Sequence, residues 1–239
     1  MPHDETPPNL IWERPSRAGR SGLSRDQIVR AAMLIGDTEG LDAISIRRIA
    51  TDLGSGTMSL YRHIDSKEDL LDLMLDAAFG EIGLPDLPPA DWRERSRQLA
   101  TATRAVYLRH PWLTVLTISR PTIGPSYLRW FECWLASFAD QGLDIATAMQ
   151  LVGVVQAYVG GVVAYEVAEA EHSRRLDMSE EAKRAAATPY VQRVVAGGQL
   201  PNFARFFAAQ VQPDPEQSFA FGLDCVLAGI AARCPQLGG

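Results

Sequence analysis

The chain is 239 residues long, 46% hydrophobic and 22% charged, long enough for one or two domains and too apolar for disorder over most of its length. Its formal net charge of -6 excludes a protein coated in basic residues for packaging nucleic acid. Residues 11–63 nevertheless carry eight Arg and no Lys against six acids, a balance of +2 that leaves -8 on the remainder, which suits a protein meeting phosphate with one part only.

Residues 1–22 are rich in Pro, Gly and Arg without an apolar period, which predicts a flexible basic arm. Ile28, Ala31, Ala32 and Ile35 follow an i, i+3, i+4, i+7 pattern that predicts a first helix, loosened and closed by Gly36 and Gly40. Ser45 can cap a second helix with Ile46, Ile49, Ala50 and Leu53 inward, stopped by Gly54. A third short helix is expected from Gly56-Thr57 to about Ile64, with Leu60 and Ile64 inward. Two short helices joined by a Gly-containing turn form a helix-turn-helix.

Ser66-Lys67-Glu68-Asp69 has the S-x-x-[DE] form of a capping box, so a helix should begin at Lys67. Leu70, Leu71, Met74, Leu75, Ala78 and Ile82 form its apolar stripe, and Pro85, Pro88 and Pro89 end it. Further helices are expected over 91–109, 111–119, 126–140, 144–172, 180–196, 201–210 and 215–233, with no sustained period-two stretch. The expected fold is all-α. The expected division is an arm at 1–22, a helix-turn-helix domain at 23–70, and a helical ligand-binding and dimerisation domain at 71–239.

The apolar run 149–165 is interrupted by Gln150 and Gln156 and falls short of the roughly 20 residues a bilayer requires, so it reads as a buried helix with no membrane partner. Cys133, Cys225 and Cys234 are an odd set without C-x-x-C spacing, which signals neither a disulfide framework nor zinc and fits a reduced cytoplasm. With His3, His63, His110 and His172 scattered, no metal site is expected, and no cofactor.

The segment SIRRIATDLGSGTMSLYRHIDSKEDLLDLM (45–74) resembles the DNA-binding domain of the TetR family of regulators. The resemblance rests on a helix ending in Leu-Gly, a short turn, Leu60-Tyr61-Arg62-His63, and Ser66-Lys67-Glu68 with its leucines. Gly197–Phe203 and Phe219–Asp224 add a weaker likeness to the tetracycline-repressor type. The resemblance implies an all-helical homodimer that binds double-stranded operator DNA through its N-terminal domain and a small-molecule effector through its C-terminal domain. It also implies phosphate contacts for Tyr61, His63 and Lys67.

In a helix-turn-helix the first residues of the second helix reach base edges in the major groove. Here these are Thr57, Met58 and Ser59, which lack a bidentate Arg, Asn or Gln reader. Arg47 becomes the candidate for the strongest contact, to phosphate or to a guanine edge, with Arg48 a solvated neighbour. Ser45 at the start of that helix and Arg20 in the arm complete the candidate DNA-facing set. Tyr61 and His63 each keep a second reading as packed core residues. The arm is either a solubilising tail or a minor-groove arm.

Tyr127, Trp130, Phe131, Trp134 and Phe138 recur at helical spacing, as core or as pocket lining. With Trp112, Gln156, Tyr158 and Tyr165 they are candidates to surround a small, largely apolar effector. Gly153, Gly160 and Gly161 each cost a helix about 1 kcal/mol relative to Ala, which close approach of another helix could offset. The helices at 144–172 and 215–233, with Gly222, Ala228, Gly229 and Ala232, are therefore the expected dimer interface, packing within one subunit being the alternative.

No P-loop, G-x-S-x-G, H-E-x-x-H or Rossmann fingerprint is present in context, so no enzyme is expected. The reading is a repressor released from a palindromic operator when effector binding shifts the helix that starts at Lys67. The alternatives are an activator or a helical interaction protein.

Overall fold

The computed structural model describes residues 10–14, 23–86, 91–120, 123–176, 178–210 and 214–238. Among them the secondary structure is entirely helical. Arg20 and the other arm residues at 1–9 and 15–22 lie outside the described residues.

Helix α1 (Arg25–Glu39) starts at a full capping box: Ser24 accepts the Gln27 N–H, and the Gln27 side chain accepts the Ser24 N–H. Gly40 donates its N–H to the Gly36 carbonyl, and its φ of 86° ends the helix. Ser45 caps α2 (Ile46–Asp52) by accepting the Arg48 N–H at 3.2 Å. Gly54, at φ 60°, turns the chain into α3 (Thr57–Leu60). That helix stops at Leu60, earlier than the expected end near Ile64, although Ile64 is buried as expected.

Ser66 caps α4 (Lys67–Gly80) by accepting the Asp69 N–H at 3.0 Å. The reciprocal half of the box is displaced by one residue, since Asp69 accepts the N–H of Asp65 at 3.0 Å. The helix ends at Gly80, before Ile82. The division drawn at residue 70 thus falls inside a single helix that contacts both α1 and α7.

The remaining helices are α5 (Trp92–Arg109), α6 (Leu113–Ser119), α7 (Pro125–Ala139), α8 (Ile145–Leu176), α9 (Glu180–Val195), α10 (Pro201–Ala209) and α11 (Pro215–Arg233). Proline at the first turn of α7, α10 and α11 occupies positions where a missing N–H costs nothing. Helix α8 is central, packed on α5, α7 and α11. Arg104 of α5 donates to both oxygens of Glu166 on α8, at 3.0 and 2.9 Å, and to Glu216 on α11 at 2.7 Å. Its side chain is 6% exposed, so this is a partly buried clasp of three helices.

Two expectations are corrected. The run 149–165 lies in a 32-residue helix long and apolar enough to cross a membrane, but only one face is buried: Ala148, Leu151, Val152, Val155, Val159 and Val163 point inward while Met149, Val154 and Tyr165 are exposed. Gly222, assigned to the dimer face, instead packs within the chain, because a Cβ there would overlap the Tyr158 ring. Tyr158 stacks on Phe219 and donates its hydroxyl to the Phe219 carbonyl at 2.7 Å. Part of the N-terminal arm is also packed. Ile11 is buried, and Arg14 donates to Asp65 and Asp69, both at 2.8 Å.

Candidate nucleic-acid interface and effector cavity

The reader is built around Ile28, Ile35, Ile49, Leu60 and Ile64, all buried. This small core holds α2 and α3 in a fixed relation and leaves their polar residues outward. Arg47, Thr57, Met58, Tyr61 and Lys67 are exposed, and Ser59 is half-buried. Met58 is 74% exposed, far more than a methionine with packing partners would be.

Two arginines adjacent in sequence have different surroundings. Arg48 donates to both oxygens of Glu39, at 3.1 and 2.8 Å, and to Asp52 at 3.0 Å. Those carboxylates raise its pKa, first by the Glu39 and then by the Asp52 hydrogen bonds. Arg47 has no carboxylate partner among the described residues. Arg62, to which the sequence pattern assigns no role, is another exposed cation beside Tyr61.

His63 is buried, with Nδ1 lacking a partner among the described residues. Burial, then the charges of Arg25 and Arg62, lower its pKa and favour the neutral ring. These are the surroundings of a packed histidine rather than of one offered to an external phosphate.

Below the reader, α4, α5, α6, α7 and α8 enclose a cavity of about 570 Å³, within the range of drug-sized ligand sites. Its wall carries Phe79, Tyr107, Tyr127, Trp130 and Phe131. Phe79 meets Tyr127 edge-on at 5.0 Å and Trp130 at 4.9 Å, while Tyr127 and Phe131 stack at 6.0 Å. Trp130 is held in place by donating its indole N–H to Thr103 at 3.0 Å. Polar atoms come from Thr114, Thr117, Arg120 and Gln156.

Of the eight residues expected around an effector, Tyr127, Trp130, Phe131 and Gln156 line this cavity. The other four do not. The aromatic stripe of α7 divides into two i+4 rows: 127 and 131 face the cavity, whereas 130, 134 and 138 run inward until Trp134 and Phe138 are fully buried. Trp112 donates its indole N–H to Asp37 of α1 at 2.7 Å, joining reader to sensor. Tyr158 packs on α11, and Tyr165 is 70% exposed. Phe79, Tyr107 and Arg120 carry no sequence signal for this role, because they approach from three other stretches of chain and no local period links them.

Helix α4 touches both regions. Lys67 begins it beside the reader and Phe79 ends it on the cavity wall. Asp76 accepts the backbone N–H groups of Ser126 and Tyr127, at 2.7 and 3.0 Å. Arg120 donates to Asp72 at 2.8 Å and to Glu68.

Residues 84–234 match the tetracyclin repressor-like C-terminal domain. The chain is 36% identical, over 95% of its length and 85% of the relative's, to the HTH-type transcriptional repressor DrrR1 of Streptomyces coeruleorubidus. Apo ActR of Streptomyces coelicolor superimposes with a TM-score of 0.74 at 26% identity, covering 92% of this chain and 99% of that one. ActR in complex with actinorhodin gives 0.71 at 28% identity, over 88% and 97%. The chain therefore belongs to the TetR family of helix-turn-helix transcriptional regulators.

Proposed function

We propose that the chain is a homodimeric repressor that holds a palindromic operator and releases it when a small, largely apolar, aromatic compound fills the cavity bounded by Phe79, Tyr127, Trp130 and Phe131. The observation that carries this reading is the span of α4, a single helix from Lys67 to the cavity wall at Phe79. A ligand that displaces Phe79 must shift the helix whose first turn borders the reader, and a dimer with altered reader spacing no longer fits two half-sites.

In this reading Thr57, Met58 and Ser59 face base edges, with Met58 against a thymine methyl. Arg47, Tyr61 and Lys67 contact phosphate or a neighbouring base edge, and Arg62 adds a cation. Ser45 acts through its cap on α2, and His63 belongs to the packed interior. Direct readout is light, so specificity leans on half-site spacing and DNA shape.

The dimer forms through exposed faces of α8 and α11. Val154, Gly161 and Tyr165 lie on the first, and Phe221, Cys225, Ala228, Gly229 and Ala232 on the second. Open space around Gly161 and Gly229 supports this, because neither glycine is needed for packing within the chain. ActR, crystallised with actinorhodin, supports a ligand in the helical domain.

Sedimentation velocity at micromolar concentration, followed by retardation of genomic fragments at several salt concentrations, tests the proposal. The expected result is a dimer retaining palindromic fragments with an affinity that falls steeply with salt. A monomer, or salt-insensitive retention without a shared palindrome, contradicts it.

A further inference from the structure

Arg120 stands in two places at once. It is the one charged side chain among the described residues lining the cavity, and it is ion-paired to α4. Its Nη2 donates to Asp72 at 2.8 Å, its Nε to the same oxygen at 3.1 Å, and its Nη1 to Glu68. Nη2 also reaches the Glu68 carbonyl at 3.3 Å. The guanidinium side is the drier one: the Arg120 side chain is 19% exposed, against 66% for Glu68 and 35% for Asp72.

That asymmetry decides what can displace what. The two carboxylates reach solvent and regain water when released, so losing Arg120 costs them little. Arg120 is less exposed and needs a replacement acceptor. A planar carboxylate inside the cavity offers one, matching the guanidinium fork with two charge-assisted hydrogen bonds among aromatic walls.

A second group points to the same ligand chemistry. Gln156 lines the cavity from α8, and its buried Nε2 has no acceptor among the described residues. A buried amide donor left unsatisfied is costly, and a ligand oxygen would satisfy it. Among the described residues no carboxylate lines the wall to receive a cationic ligand.

Resting on the reading of this cavity as the effector site, we propose that the effector is a planar aromatic compound bearing a carboxylate or comparable acidic oxygen. It binds by taking Arg120 from Glu68 and Asp72. The same exchange that gives the ligand its affinity frees the first two turns of α4, so binding of the acid and release of the reader are one event. A neutral compound of the same shape fills the aromatic cavity and leaves the ion pairs in place.

The test titrates the full-length protein with anthraquinone-2-carboxylate and with anthraquinone-2-carboxamide, following quenching of tryptophan fluorescence. The carboxylate is expected to bind about tenfold tighter, within the range of typical coupling between sites. In a Glu68→Gln/Asp72→Asn double variant, the carboxylate should gain a further severalfold while the carboxamide stays within about twofold, because only the acid competes with those groups. Arg120→Gln should erase the preference. If that variant does not fold, the double variant still decides, since a merely structural ion pair would move both probes together or neither. Equal affinity of the two probes for the native protein overturns this inference and leaves the cavity reading standing. Absence of binding by both overturns the cavity reading and the inference with it.

Discussion

The Asp76 carboxylate of α4 accepts the backbone N–H of Ser126 at 2.7 Å, so a side chain from the helix that leaves the reader caps a helix of the sensor. Asp76 is 7% exposed, and the same oxygen takes the Tyr127 N–H at 3.0 Å. Asp76→Ala would strip both amides of their acceptor and is expected to lower stability by about 2 kcal/mol, roughly 4–8 °C in Tm for a chain of this size. Gly124→Ala should also destabilise, because its Cβ would overlap the Asp76 carboxylate. The two costs should not add: in the Asp76→Ala background Gly124→Ala should be nearly neutral. Thermal unfolding of the four proteins at one concentration checks this cycle.

The glycines of α8 and α11 separate packing from assembly. Gly222→Ala is expected to cost about 1–3 kcal/mol by overpacking against Tyr158. Gly161 faces open space, so Gly161→Gln should leave the secondary structure intact while weakening the proposed dimer. Circular dichroism and sedimentation velocity on the two variants distinguish the effects. A Gly161→Gln protein that stays dimeric at nanomolar concentration would move the interface elsewhere.

His63 gives the fold a pH dependence of defined sign. Its pKa is lowered in the folded protein from an ordinary value of 6.5, so the unfolded chain binds a proton more readily. The stability it contributes is fully present above pH 6.5 and is lost as pH falls from there toward the lowered folded value, at no more than about 1.4 kcal/mol per pH unit. Urea unfolding of the native protein and of His63→Phe between about pH 5 and 8 isolates the effect. The variant should show the shallower dependence.

The DNA-facing assignments predict two different signatures. Lys67→Ala should weaken binding evenly across sequences and flatten the plot of log affinity against log salt by about 0.9 for each phosphate no longer neutralised, nearly 2 for a dimer. Met58→Ala should leave the slope alone and relax preference at one base pair by about 1–3 kcal/mol. Fluorescence anisotropy on the operator and single-base variants reads both.

The caps, turns and apolar periods made the reader legible in the sequence. Ser45, Gly54 and Ser66 act through hydrogen bonds or φ values set within a few residues, and those are the features that α2, α3 and α4 display. The cavity was half legible, for the opposite reason. Tyr127 and Phe131 could be paired by helical spacing, but which aromatic row faces inward depends on packing against α5 and α8. Arg120 meets Glu68 and Asp72 across about 50 residues of chain. The full capping box at Ser24 and Gln27 is as local as the others, but it borders an Arg-rich stretch whose charge masks the start of α1. Gly222 misled because its conflict is with Tyr158 on another helix.

The most direct test of control through α4 is the affinity of the protein for an operator fragment recovered from genomic DNA, titrated with and without saturating anthraquinone-2-carboxylate. If ligand and operator bias α4 in opposite directions, the acid should weaken operator binding at least about tenfold. An unchanged operator affinity while tryptophan quenching shows the cavity occupied would contradict it.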